Sequence, residues 1–219
     1  MAPKLRIHWW DFPGRGAEPA RLALTLKGIP FDDVRYQRSQ PESVAAIRAK
    51  SPFGFIPCLE IDDVVITQST TIMRYVGKLC GLMPEDPVEA AKVEQLLDFI
   101  TMDLEPLAGK GLEAREAAAK PGSPFHERMA QLDAHLATLG PSAPLNMGDI
   151  KVFCETVALI SGFYDGFPTT PAFYSPYPNI QKVWQRMATI PEVKAYYAGR
   201  TGIYSAFDAA LEVVTIIYV

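Results

Sequence analysis

The sequence predicts a small α/β unit followed by an all-helical one. Three observations carry this. Strand periodicity is confined to the first 67 residues, a short Pro-containing break runs from Gly81 to Pro87, and strand signals nearly vanish after it. No internal repeat or low-complexity segment interrupts either half. Lys4–Phe12 alternates, with Leu5, Ile7 and Trp9 on one side and Arg6, His8 and Trp10 on the other, which is the two-residue period of a strand. Gly14-Arg15-Gly16 reads as a turn, and Ala17–Lys27 as a helix that tolerates Pro19 only in its first turn and ends at Gly28. Phe31–Tyr36 reads as a second strand and Pro41–Lys50 as a short helix. Cys58–Asp62 and Val64–Thr67 read as two β-branched strands joined at Asp62-Asp63, and Ser69–Leu79 as a helix closed by Gly81. The order is β-α-β-α-β-β-α.

The second half reads as helices over Val88–Leu107 and onward to Lys120, then Phe125–Leu139, Asp149–Gly162, Pro178–Thr189 and Pro191–Gly199. Its breaks are Pro121–Pro124, Gly140–Pro144 and the aromatic, Pro-rich stretch Phe167–Tyr177. Asn146 with Asp149 three residues on has the pattern of a capping box, which starts a helix firmly.

The 219 residues carry 21 basic and 25 acidic side chains, a formal charge of −4 with no Lys/Arg cluster, which argues against a nucleic-acid partner. Apolar residues at 48% and charged ones at 21% suit an ordinary packed core. No apolar run approaches the roughly 18 residues of a membrane span; the tail from Val213 to Val219 is too short, so no membrane partner is expected. The first residues lack the apolar core of a secretory signal, so a soluble, cytoplasmic protein is expected. Cys58, Cys80 and Cys154 are scattered, without CxxC or nearby His, and read as buried thiols with neither a disulfide framework nor a metal site.

Four stretches carry more than periodicity: Gly-Arg-Gly-Ala-Glu-Pro-Ala-Arg at 14–21, Pro-Phe-Gly-Phe-Ile-Pro-Cys-Leu-Glu-Ile-Asp at 52–62, Gln-Ser-Thr-Thr-Ile-Met-Arg-Tyr-Val at 68–76, and Thr-Met-Asp at 101–103. With the capping box and the spacing of Pro178, Pro191, Tyr196 and Arg200, they make the chain from Lys4 to about Arg200 resemble the cytosolic glutathione transferases, most like the Mu, Pi and Sigma group. The resemblance implies a thioredoxin-like glutathione-binding domain over residues 1–83. It also implies an all-helical domain over 88–219 that carries the electrophile pocket, and a homodimer. It implies glutathione transfer to small apolar electrophiles, as in detoxification. Two alternatives stand beside it: a non-catalytic glutathione- or ligand-binding protein of the same fold, and a glutathione-dependent isomerase or peroxidase.

By the same resemblance, Ile56-Pro57, preceded by Phe55, is the cis-proline turn whose backbone faces the cysteinyl part of glutathione. Gln68 and Ser69 receive the γ-glutamyl carboxylate at a helix N-terminus, where unpaired N–H groups and the dipole favour an anion. Ser69 reads equally as a plain N-cap. Asp103 resembles the acid that reaches the γ-glutamyl ammonium group across the dimer, although it reads equally as a solvated helix acid, as neighbouring Asp98 does; Arg48 falls where a cation sits near the glycyl carboxylate, and reads equally as a surface charge. Cys58 is assigned to the core.

The chain departs from the group at the group's catalytic Tyr. A thiol with pKa near 8.5 needs a donor aimed at its thiolate to ionise at neutral pH. Strand register puts Trp9 at the Tyr position, whereas ungapped counting back from Arg21 puts Trp10 there; Trp10 also resembles the Trp that contacts glutathione in Mu enzymes. No Ser or Cys precedes Ser39. An indole N–H, a donor only, and Arg15 remain as candidates to hold the thiolate. A Tyr from the second half is a further option, and absence of catalysis another. Trp9 reads equally as a core residue continuing the Leu5, Ile7 face. Phe99, Met102, Tyr164, Phe167, Phe173, Tyr174 and Tyr177 are candidates for an apolar pocket, although helical spacing assigns most of them to the core. His8, His126 and His135 form no recognisable catalytic set in sequence.

Overall fold

The computed structural model describes residues 3–11, 15–37, 39–139, 144–160, 162 and 164–199. Gly14, Phe12, most of the Gly140–Pro144 break, Arg200 and the Val213–Val219 tail lie outside the described residues. Four strands form one sheet in the order β2-β1-β3-β4: β1 Leu5–Trp10, β2 Asp32–Tyr36, β3 Cys58–Ile61 and β4 Val64–Thr67. β1 runs parallel to β2 and antiparallel to β3, and β3–β4 is a hairpin turned at Asp62, which adopts φ 51°. The parallel pair needs a crossover, supplied by α1, Glu18–Leu26.

The alternation in β1 sorts its side chains between two cores. Leu5 and Ile7 are buried, with Trp9 beside them, against α1 and α3 (Ser69–Leu79), where Leu22, Leu24, Ile72, Met73 and Val76 are fully buried. On the opposite face His8 bonds Tyr36 and Glu60, and Trp10 packs on a smaller cluster of Val44, Ile47 and Cys58. That cluster lies under a 3₁₀ turn, Pro41–Val44, running into α2, Ala45–Lys50. All three cysteines are buried free thiols.

Arg21 is fully buried in α1. Its guanidinium donates to Asp33 at 2.9 Å and Glu18 at 3.4 Å, and Tyr197 donates to the second Glu18 oxygen at 3.2 Å. A buried guanidinium is tolerable only when its charge is met in this way. The Glu and Arg of the 14–21 stretch therefore serve to lock α1 to the sheet and to the last described helix, α9, Pro191–Tyr197.

The helical half follows as α4 Pro87–Asp98, α5 Leu112–Ala118, α6 Pro124–Thr138, α7 Met147–Ile160, α8 Pro178–Ala188 and α9. α7 is buried along its whole length and packs on α1, α4 and α8. Its start is the expected capping box: Gly148 and Asp149 N–H donate to Asn146 Oδ1 at 2.8 and 3.2 Å, and Asn146 N–H donates to Asp149 Oδ2 at 3.1 Å. Among the described residues no helix is long and apolar enough to cross a membrane.

One expectation fails in an informative way. The single helix expected from Val88 to Leu107 and on to Lys120 is instead α4, a π-helical stretch Phe99–Leu104, a 3₁₀ turn Glu105–Ala108, and α5 after a break. Pro106 has no N–H to donate and its ring crowds the carbonyl of Met102. Gly109 and Gly111 then adopt φ 80° and 87°, and a Cβ on Gly109 would lie 2.9 Å from the Ala114 backbone, so only Gly closes this turn. The break turns residues 105–115 toward the C-terminal end of β1. A 3₁₀ turn at Pro171–Tyr174, within a stretch expected to be loop, is the other difference.

Candidate functional site

The Ile56-Pro57 bond is cis. Buried Thr67 holds the turn: its hydroxyl lies 2.8 Å from the Pro57 carbonyl and 3.3 Å from that of Phe55, which also accepts from the Cys58 thiol at 3.0 Å. Burial pushes the Cys58 thiol up, consistent with a core role. Gln68 takes φ 76°, unusual for a residue with a Cβ, and this reverses the chain from β4 into α3. Its side chain makes no capping bond, so the first N–H groups of α3 remain available beside Ser69.

Across from this turn, Gly16 (φ 74°) supports the Trp9 indole. A Cβ there would lie 2.5 Å from Trp9 Cζ2, so the indole occupies the space a side chain would take. Trp9, Arg15, Gly16, Pro57 and Ser69 from the α/β half line a cleft of about 460 Å³ with Glu105, Gly109, Lys110, Arg115 and Tyr164 from the helical half.

The floor of the cleft is charged. Arg15 Nε donates to Glu155 Oε1 at 2.9 Å and lies 3.8 Å from Glu105 Oε2. Lys151, itself buried, pairs with Glu105 Oε1 and lies 3.7 Å from Glu155 Oε2. Tyr164 presents its face to two guanidiniums, Arg15 at 4.8 Å and Arg115 at 5.3 Å. Burial disfavours every charge here, but the partners decide which survive. Arg15 and Lys151 together hold fully buried Glu155 ionised and below its usual range. Glu105 differs: burial and the Glu155 charge outweigh Lys151 and Arg15 and push its carboxyl up to about 7.

This shift sets a pH dependence. Glu105 binds its proton more tightly folded than unfolded, so its contribution to stability is fully present below the unfolded value near 4.5 and is lost as pH rises toward about 7. Between pH 5 and 8, wild type is expected to lose on the order of 2–3 kcal/mol relative to Glu105→Gln, read as converging or crossing melting temperatures. A constant difference across that range would refute the assignment.

The other residues singled out in sequence lie around the cleft. Trp10 and Ile56 pack on the smaller cluster instead of lining the cleft, and the Arg48 guanidinium lies 5.9 Å from the Trp10 ring. Of the two tryptophans it is therefore Trp9, by strand register, that faces the cleft. Phe55 and Gln68 are exposed at its edge. Asp103 is exposed in the π-helical stretch and does not line the cleft; Asp98 pairs with Arg74. Of the candidate pocket aromatics only Tyr164 lines it. Phe167, Tyr174 and Tyr177 are core, Phe99 and Phe173 pack against the core, and Met102 is 70% exposed. The histidines lie apart, His126 bonding Tyr177 and His135 bonding Gln95. Sequence reasoning missed Glu105, Lys110, Arg115, Lys151 and Glu155. The usable signal was Pro106 and the Gly109-Lys110-Gly111 triplet interrupting a helix-period stretch.

Comparison with known proteins places this cleft in context. The family model described as the glutathione S-transferase N-terminal domain matches residues 17–79. Glutathione S-transferase 1 of Ascaris suum is 38% identical over 96 residues, 44% of this chain and 45% of that protein. Hematopoietic prostaglandin D synthase of Gallus gallus is 28% identical over 208 residues, 90% of this chain and 97% of that protein. Among solved structures, a glutathione S-transferase from Ascaris lumbricoides superposes with a TM-score of 0.71 at 26% identity, covering 91% of this chain and 98% of the other. A sigma-class transferase of Fasciola hepatica superposes at 0.74 with 18% identity, over 91% and 98%.

Proposed function

Because the chain belongs to the cytosolic glutathione transferase family, we propose that the cleft binds glutathione as co-substrate and that its thiolate attacks an electrophilic carbon of a second molecule held against the helical half. The observation that carries this reading is the meeting, in one cleft, of cis-Pro57, the Ser69 end of α3, Trp9 and Arg15. An extended peptide with two carboxylates suits such a place. The backbone before the cis-proline pairs with its main chain, the α3 N-terminus receives the γ-glutamyl carboxylate beside Gln68 and Ser69, and Arg48 with Trp10 receives the glycyl end. Residues 1–83 act as the glutathione-binding domain and 88–219 as the domain for the second substrate.

In the reaction the thiol gives up its proton, the sulfur–carbon bond forms, and the leaving group departs with its electron pair. With no hydroxyl at the end of β1, the Trp9 indole and the Arg15 guanidinium stabilise the thiolate. Arg15 keeps its charge because, although burial opposes it, Glu155 and then Tyr164 and Glu105 favour it. A homodimer is part of the reading. Phe53 at 66%, Phe55 at 61% and Met102 at 70% exposure leave large apolar side chains to be covered by a second copy, with Asp103 beside Met102. The free cysteines fit a reducing cytoplasmic setting.

The test is an ultraviolet difference spectrum during glutathione titration at neutral pH. A saturating thiolate band that is lost in Arg15→Ala is the expected result. Tryptophan perturbation with no thiolate band would replace the reading by a glutathione-binding protein without transfer chemistry.

A further inference from the structure

The helical wall of the cleft is cationic in a chain whose formal charge is −4. The described lining residues carry three cations, Arg15, Lys110 and Arg115, against one carboxylate, Glu105. Arg15 is matched by Glu155 and Glu105, and Lys151 beneath it by the same two carboxylates. Arg115 and Lys110 have no ion pair among the described residues. Arg115 Nε is buried without a hydrogen-bond partner, and its guanidinium is fixed over the Tyr164 ring at 5.3 Å. Lys110 is exposed on the Gly109–Gly111 turn beside it. A desolvated guanidinium donor left unmet is costly, and a planar fork held in place is suited to a carboxylate. Among the described residues, apolar lining is confined to Trp9, Pro57 and the Tyr164 ring, so charge is the stronger selective feature of this wall.

From this we infer that the second substrate is an anion: an electrophile carrying a carboxylate or comparable negative group, received by Arg115 and Lys110 while the thiolate attacks from the Trp9, Arg15 side. The inference rests on the transferase reading and replaces the apolar electrophile that the family resemblance implies. The anionic group takes no part in bond making. For an aryl chloride, the sulfur–carbon bond forms, the carbon–chlorine bond breaks, and chloride leaves.

The experiment compares 4-chloro-3-nitrobenzoate with 4-chloro-3-nitrobenzamide at saturating glutathione, using wild type, Lys110→Gln and Arg115→Gln. Comparing the ratio of the two kcat/KM values, acid over amide, between each variant and wild type cancels the chlorides' intrinsic reactivities. That ratio is expected to fall by about tenfold or more in Arg115→Gln and by a smaller factor in Lys110→Gln, through the KM for the acid. Added salt should weaken turnover of the acid selectively in wild type. A ratio unchanged in both variants overturns the inference, as does a rise in the KM for glutathione with no change in the ratio, which would assign these cations to glutathione's own carboxylates. Lys110→Gln alters only an exposed side chain and keeps the test decisive should Arg115→Gln fold poorly. If neither chloride reacts, the transferase reading fails separately. Equilibrium dialysis of the nitrobenzoate then decides the anion site: saturable binding lost in the variants supports it, and no binding overturns it.

Discussion

Replacing Gln68 and Ser69 together by Ala is expected to lower glutathione affinity by about a hundredfold or more, measured by calorimetry, while the melting curve stays close to wild type. A hydrogen bond to a charged group is worth about 1.5–3 kcal/mol, so two lost bonds to one carboxylate exceed the roughly 2.7 kcal/mol that a hundredfold represents. The α3 N–H groups and dipole still favour an anion, so the expected loss is that of the two side chains' own bonds. The helix itself does not depend on them. Gln68 makes no capping bond, and α3 is held by fully buried Ile72, Met73 and Val76. Affinity unchanged in the double variant would remove the glutathione assignment from this end of the cleft.

The α/β half was the legible part of the chain, and the reason is that its instructions are local. Alternation in Leu5–Trp10, the Asp62-Asp63 turn and Gly81 after Leu79 each act over a few residues, and the observed elements fall within one or two residues of expectation. The stretch after Pro87 was less legible because helical spacing is nearly the same for α, π and 3₁₀ backbone. Only Pro106 and the left-handed Gly109 and Gly111 decide where the helix must stop. Most of the cleft's helical wall depends on that stop. Trp9, Arg15, Pro57 and Ser69 could be named from motifs and strand register, but Glu105, Lys110 and Arg115 reach them only through the packing of α7 on α1 and α4. Part of a motif also misleads if read as function alone: Glu18 and Arg21 form a buried lock between α1, the sheet and Tyr197.

The same distinction makes Glu155→Ala the most damaging single change expected in the site. Glu155 lies in the middle of α7, fully enclosed, and meets both Arg15 and Lys151. Removing it leaves two cations to share Glu105. Breaking a buried ion pair from one side costs about 3–5 kcal/mol because the surviving charge is neither hydrated nor matched. For a chain of this size that corresponds to a fall on the order of 10 °C in Tm. A lost packing contact alone could produce such a fall, so a second readout is needed, and the electrostatics provide one. Part of what holds the Glu105 carboxyl up near 7 is repulsion from Glu155. Without that repulsion, and with Lys151 and Arg15 both free to attract it, Glu105 should ionise well below neutrality, so the fall in stability between pH 5 and 8 expected of wild type should flatten in Glu155→Ala. A variant that melts early yet keeps the wild-type pH profile would show that Glu155 acts by filling space. One that melts early with a flat profile would show that it fixes the charges of the floor, and with them the position and charge of Arg15 in the cleft.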